Sequence, residues 1–219
     1  MKYRCVIFDF DGTLVDSLED IALALNTTLT EHGFPPAPLE KYRTMTGWGI
    51  FRLTALALPE NARTEQNIRN LGGIAGRLME EQKNYRSRPY PGIPELLAEL
   101  KARKFTVAVI SNKQDGALRR VTDSLFGPAM FDAVCGLRPG IAPKPDPSAV
   151  WELLADLDRV PGETIFMGDS EIDMETARNA GCYPLGVSWG FRSHSTLETA
   201  GAARIIGTPQ EIWEIIGKK

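Results

Sequence analysis

The stretch "KYRCVIFDFDGTLVDS", residues 2–17, decides the reading of the fold. Its run Cys5-Val6-Ile7-Phe8 has the unbroken hydrophobicity of a strand buried on both faces. The run leads straight into Asp9 and Asp11, with Gly12 and Thr13 directly behind them. Carboxylates at the end of a core strand are costly unless something compensates them. The segment is therefore either a turn, which Asp and Gly favour, or the edge of a site that needs negative charge.

Runs of the same kind recur along the chain: "FTVAVI" at 105–110, "DAVC" at 132–135, "TIFM" at 164–167, "PLGV" at 184–187 and "RII" at 204–206. Between them lie segments with helical spacing, such as "GIPELLAELKARK" (92–104) and "PSAVWELLADLD" (147–158). Apolar strands alternating with amphipathic helices predict an α/β fold with a parallel sheet covered on both faces. Residues 17–88 break this rhythm. "SLEDIALALNTTLTEHG" (17–33), with Ser17 as its expected N-cap, and "ENARTEQNIRNLGGIAGRLMEEQKNYRS" (60–87) are helical in pattern, and no convincing strand lies among them. The expectation is a helical insert, 17–88, in a core made of 1–16 and 89–219. Pro35, Pro36 and Pro38 mark its internal loop, and Pro89, Pro91 and Pro94 its return.

The apolar share of 43% and charged share of 24% over 219 residues are those of an ordinary globular protein. A net charge of −3, with cations dispersed, argues against a dedicated partner for nucleic acid or an anionic membrane. No apolar run approaches the ~20 residues a membrane-spanning helix requires. No secretory leader is visible, so the expected address is cytoplasmic. Cys5, Cys135 and Cys182 lack C-x-x-C spacing and read as reduced core thiols.

Four strand ends carry polar residues that ask for a common purpose. Asp9 and Asp11 follow the first strand, Ser111-Asn112-Lys113 the second, and Asp169 and Asp173 the strand "TIFM"; Lys144 stands between Pro143 and Pro145. In an open parallel sheet, ligands sit beyond the carboxyl ends of the strands where strand order reverses. There Asp9, Asp11, Asp169 and Asp173 converge. Carboxylates ~4 Å apart repel by about 4 kcal/mol at an effective dielectric near 20. The cluster needs a cation or raised pKa values. Hard oxygen ligands with room for water and phosphate suit Mg²⁺. Backbone N–H groups near Asn112, at an expected helix start, and the Ser111 hydroxyl could hold an anion. Acids around a metal, with a lysine and a phosphate cradle, point to phosphoryl transfer through an aspartyl-phosphate. Asp9 is the expected nucleophile and Asp11 the acid and base.

"DFDGTLVDS", "SNK", "PKPDP" and "GDSEID" resemble, in order, the four motifs of the haloacid dehalogenase superfamily of phosphohydrolases. The resemblance implies a Rossmann-like core with a helical cap inserted after the first motif. It implies Mg²⁺ held by Asp9, the Asp11 backbone carbonyl and Asp169, with Asp173 in support, and Ser111 and Lys144 on the transferring phosphoryl group. Gly12, Thr13, Asn112 and Lys113 join the phosphate-binding candidates. Within the superfamily, "GDSEIDMETARNAG", "WGFR" and the insert's "MTGWG" look most similar to phosphoglycolate phosphatases. The implied activity is Mg²⁺-dependent hydrolysis of a small phosphorylated metabolite, 2-phosphoglycolate first, by a monomer or homodimer. The alternatives are a β-phosphoglucomutase-like mutase, a pyrophosphatase of the same superfamily, or a non-catalytic phosphate-binding regulator.

Some candidates have an equally good plain reading. Trp48 and Arg52 are candidate substrate contacts, or ordinary packing and surface charge. Arg192 could take a substrate carboxylate bidentately or form a structural salt bridge. Lys113 could touch phosphate or face water. Lys104 stands where a helix-ending Gly suits a left-handed cap better.

Overall fold

The computed structural model describes residues 2–81 and 86–217. In chain order the elements are β1 (Cys5–Phe8), β2 (Val15–Asp16), α1 (Leu18–Glu31), α2 (Leu39–Met45), α3 (Ile50–Ala57), α4 (Glu65–Glu81) and β3 (Arg88–Pro89). There follow α5 (Ile93–Ala102), β4 (Thr106–Gln114), α6 (Asp115–Phe126), β5 (Ala133–Leu137), α7 (Ser148–Asp156) and β6 (Thr164–Gly168). The chain ends with α8 (Glu171–Ala180), β7 (Tyr183–Val187), α9 (His194–Thr199), β8 (Arg204–Ile206) and α10 (Trp213–Ile216). Each of the six apolar runs is a strand, and together they form one parallel sheet in the order β5-β4-β1-β6-β7-β8.

Alternation along the central strands divides the core in two. Val6 and Phe8 of β1, Val107 and Val109 of β4, and Ile165 and Met167 of β6 pack with Ile93, Leu96 and Leu97 of α5, Leu118 of α6 and Trp213. Cys5, Ile7, Ala108, Ile110 and Phe166 face the other way, onto Val150, Leu153 and Leu154 of α7 and Ala177 of α8. Helices therefore cover both faces, which is why the strands are apolar throughout rather than alternating. All three cysteines are free, buried and in this second cluster. Burial pushes the Cys5 and Cys182 thiols up to about 12, so they stay protonated and inert.

The chain leaves the sheet through β2 and returns through β3, and these two short strands pair antiparallel, Val15 with Pro89 and Asp16 with Arg88. Between them α1–α4 enclose their own apolar cluster, with Leu25, Leu29, Tyr42, Leu58 and Ala75 at its centre. The return is clasped to the departure: Asp20 at the start of α1 accepts from the backbone N–H of Ser87 (2.8 Å) and from its hydroxyl (2.5 Å). Lys104 ends α5 with φ of 62°, the left-handed conformation its position requires. Residues 82–85 of the expected insert lie outside the described residues.

Candidate active site

Strand order reverses at β1: the chain runs from β1 to β4 and β5 on one side, and to β6, β7 and β8 on the other. The polar strand ends meet there. Asp9 extends β1 and donates its N–H to Met167 of β6 (2.9 Å), so it stands beside Asp169, which follows the same strand. Asp9, Asp169 and Asp173 are all buried and each offers an oxygen within 4.8 Å of the others.

Lys144 enters this group from the loop before α7. Its ammonium donates to Asp9 Oδ1 at 2.7 Å and to Asp173 Oδ1 at 2.6 Å, and its side chain is 4% exposed. Asn112 fixes the lysine's backbone from both sides: its Oδ1 accepts from Lys144 N (2.8 Å) and its Nδ2 donates to Lys144 O (3.1 Å). Asp173 is held in turn by Ser170, whose hydroxyl (2.6 Å) and N–H (3.1 Å) donate to its Oδ2 in a capping box that opens α8. Asp169 accepts from Phe191 N–H (2.7 Å) and from the Thr13 hydroxyl (3.3 Å). Gly12 lies under it with φ of 90°, and a Cβ there would come within 2.5 Å of Asp169 Oδ2. Only glycine combines that conformation with that approach.

Electrostatics follow from burial. Desolvation pushes the Asp9 carboxyl up to about 7 against the pull of Lys144, and Asp173 adds to the rise. Asp169 is raised well above the usual carboxylate range by burial, then by Asp173 and Asp9. Burial alone would lower Lys144, but the Asp173 and Asp9 carboxylates outweigh it and hold the ammonium charged. Three acids against one lysine cannot all stay ionised in a dry place, and a hard divalent cation on carboxylate oxygens would take the place of the protons that burial favours.

Asp11 sits apart from this cluster. Its carboxylate accepts from Ser17 Oγ at 2.5 Å and from Lys113 Nζ at 3.0 and 3.2 Å. Ser17 therefore makes no side-chain cap on α1; its hydroxyl has taken the charged acceptor instead. Asp9 and Asp11 open onto a cavity of about 70 Å³, lined further by Thr46, Gly47, Gly49, Ser111, Asn112, Lys113 and Gln114. Ile21, Ile50, Leu53, Met79 and Ala117 give it an apolar wall, mostly from the insert.

Several expected contacts are arranged otherwise. The strand β4 runs on to Gln114 and α6 begins at Asp115, so Asn112 stands at no helix start; its amide instead braces Lys144 and Gly47 O (2.9 Å). The Gly12 N–H is committed to Val15 O (2.9 Å) and the Thr13 hydroxyl to Asp169, and neither residue lines the cavity. Arg52 is exposed, and Trp48 is 40% exposed; neither reaches the cavity, which is met instead by Gly47 and Gly49 on either side of Trp48 and by Leu53 beside Arg52. Arg192 is spent on Glu171 (2.9 Å) and on three backbone carbonyls at the end of α2. The motif patterns point to charged residues, whereas the apolar wall carries no signal that separates it from an ordinary helix core face.

The family model described as haloacid dehalogenase-like hydrolase matches residues 6–187, from β1 through the end of β7. A phosphoglycolate phosphatase of Aquifex aeolicus is 32% identical over 86% of each chain. One of Mannheimia succiniciproducens is 31% identical over 87% of this chain and 88% of its own. The crystal structure of a predicted phosphoglycolate phosphatase from Haemophilus somnus superposes with a TM-score of 0.90 at 27% identity, covering 99% of both chains. A match across both halves of the sheet, and identity above 30% over most of both chains, lead to one conclusion: the chain belongs to the haloacid dehalogenase-like hydrolases.

Proposed function

We propose that the protein is a Mg²⁺-dependent phosphatase that hydrolyses a small phosphorylated metabolite through an aspartyl-phosphate on Asp9. The observation that carries this is the buried group Asp9, Asp169, Asp173 and Lys144 at the strand-order switch, opening on a cavity that also holds Asp11 and Ser111. Asp9, Asp169 and Asp173 fit a hard divalent cation in donor type, burial and spacing, and the family resemblance implies that the Asp11 backbone carbonyl would join them. When bound, the cation neutralises the carboxylates and draws charge from the phosphoryl oxygens.

The remaining steps belong to the side chains. Lys144 holds Asp9 Oδ1, so Oδ2 attacks phosphorus while the bond to the leaving oxygen breaks. Asp11 gives that oxygen its proton. Asp11 then takes a proton from water, which attacks the same phosphorus and returns Asp9 and inorganic phosphate. Ser111 and Lys113 line the cavity and orient the phosphoryl group, while the Asn112 amide, spent on Lys144 and Gly47, keeps the lysine in place. The insert 17–88 acts as a cap that excludes bulk water.

The cavity's modest volume supports a leaving group of few atoms, and the names of the relatives make 2-phosphoglycolate the first candidate. A sugar-phosphate mutase would need hydrogen-bonding groups for a second phosphate on the cap side. Except for Thr46, the side chains that the cap brings to the wall are apolar, Ile50, Leu53 and Met79 among them, and this favours hydrolysis. The test is phosphate release from 2-phosphoglycolate, pyrophosphate and hexose phosphates, with and without Mg²⁺. Asp9→Asn is expected to lose at least about 10³-fold while keeping its fold. Unchanged turnover in that variant, or turnover indifferent to Mg²⁺, refutes the mechanism.

A further inference from the structure

The loop after β7, Trp189 to Arg192, faces the carboxylate cluster with one side and the insert with the other. On the cluster side, Phe191 N–H donates to Asp169 Oδ2 (2.7 Å) and Trp189 Nε1 donates to Thr13 O (3.0 Å). Gly190 packs so closely that a Cβ there would overlap Asp169 and the Gly12 carbonyl. On the insert side, the Phe191 ring is buried in the apolar cluster of α1–α4, the one core residue in that group among the described residues. Arg192 closes over the carboxyl end of α2, where carbonyls lack helical partners. Its Nη2 donates to Thr46 O (2.8 Å) and Thr44 O (3.3 Å), its Nη1 to Arg43 O, and its Nε to Glu171 (2.9 Å). Thr46 is followed by Gly47 and Gly49, which line the cavity above Asp9.

We propose that this loop couples cation binding to cap position: Phe191 and Arg192 are positioning residues that hold the 46–49 segment over the cavity when Asp169 is seated on its cation. The inference rests on the phosphatase reading above. The physical reasoning is that four consecutive residues cannot shift on one side without shifting on the other. Phe191 supplies a backbone donor to Asp169 and a side chain to the insert at once, so displacing either end breaks the other contact. Energetic coupling of this kind is reciprocal: a cation that fixes Asp169 favours the docked insert, and a docked insert tightens the cation.

The test uses Mg²⁺ binding by calorimetry together with amide hydrogen exchange over residues 44–50. In the wild-type protein, Mg²⁺ alone should slow exchange in that segment. Arg192→Ala and Arg192→Lys should both lose this protection and bind Mg²⁺ more weakly, within the roughly 5–150-fold range typical of coupled sites. Charge alone predicts otherwise. Removing a cation near the carboxylates would tighten Mg²⁺ in the alanine variant and leave the lysine variant, which keeps the charge, unchanged; the coupling weakens both, because lysine cannot span Glu171 and three carbonyls. That pattern overturns the coupling, as does Mg²⁺ binding to the wild type with exchange at 44–50 unaltered; the phosphatase reading survives both. No Mg²⁺ binding by the wild type overturns both readings. Unaltered exchange elsewhere in the sheet of each variant shows that the fold is retained.

Discussion

Replacing Lys144 with methionine removes the only ammonium contacting Asp9 and Asp173 among the described residues while keeping most of the side chain's volume. The bonds lost measure 2.7 and 2.6 Å, and the site is 4% exposed, so water cannot take the lysine's place without rearrangement. Removing one partner of a buried ion pair costs about 3–5 kcal/mol, because the other partner is left charged and dry. Urea unfolding without divalent cations should record that loss at pH 8, with Tm lowered on the order of 10 °C. The pH dependence has a definite sign. The folded Asp9 value is about 7 against an ordinary 3.8, so the metal-free fold holds its proton more tightly than the unfolded chain. That contribution is present in full below pH ~4 and disappears as pH rises through about 7. Without Lys144 the Asp9 value climbs further and the loss extends to higher pH. The gap between wild type and variant should therefore be widest at pH 8 and narrow at pH 5. A gap under about 1 kcal/mol at pH 8, or one that does not narrow at pH 5, refutes the assignment of Lys144 as the counter-ion of the cluster.

A bound Mg²⁺ would displace the proton that burial holds on Asp9, and burial raises Asp169 as well, so the cation's apparent affinity should fall at least about tenfold per pH unit below pH 7. Calorimetry in buffers of different ionisation enthalpy counts the protons released, and a pH-independent affinity contradicts the shift. Asp11→Asn should cost about 10²–10⁴-fold with an alkyl phosphate and clearly less with p-nitrophenyl phosphate, whose leaving group needs no proton. Equal losses on both substrates would remove Asp11 from the acid role. Lys104→Gly should stabilise the protein by about 1 kcal/mol, since a left-handed residue with a Cβ is strained. Thermal unfolding checks this, and a destabilised variant would mean that the lysine side chain contributes more than its backbone costs.

How much could be read beforehand depended on whether a residue's role was written in its neighbours. Every strand of the six-stranded sheet was legible because burial on both faces leaves uninterrupted apolar runs, two of which, β1 and β6, lead into the acids that meet at β1; the two-residue strands β2 and β3, the latter beginning inside the expected strand-free insert, carry no such run. The extension of β4 through Asn112 was not, because Ser-Asn-Lys-Gln carries no strand propensity and is held there by Gly136, Lys144 and the insert. Ser17 looks like a helix cap in every local respect; only the fold brings Asp11 within reach of its hydroxyl. Arg192 reads from its sequence context as a substrate contact or a structural salt bridge; the structure gives it the salt bridge, to Glu171, and adds backbone carbonyls about 150 residues away in sequence, which no side-chain pattern encodes. The apolar wall of Ile21, Leu53 and Met79 has the same spacing as residues that merely fill the insert's core.

The β2–β3 ribbon also bears on the order of folding. Its two rungs close a chain segment of about 70 residues, and closing a loop of that length costs on the order of 4 kcal/mol in chain entropy. Two residue pairs return less than that by themselves. The ribbon and the Asp20–Ser87 clasp thus become stable only once the sheet and the α1–α4 cluster have each drawn their own parts together. In refolding, substitutions at Asp20 or Ser87 should chiefly accelerate unfolding and leave the folding rate nearly unchanged, the signature of contacts made after the rate-limiting step.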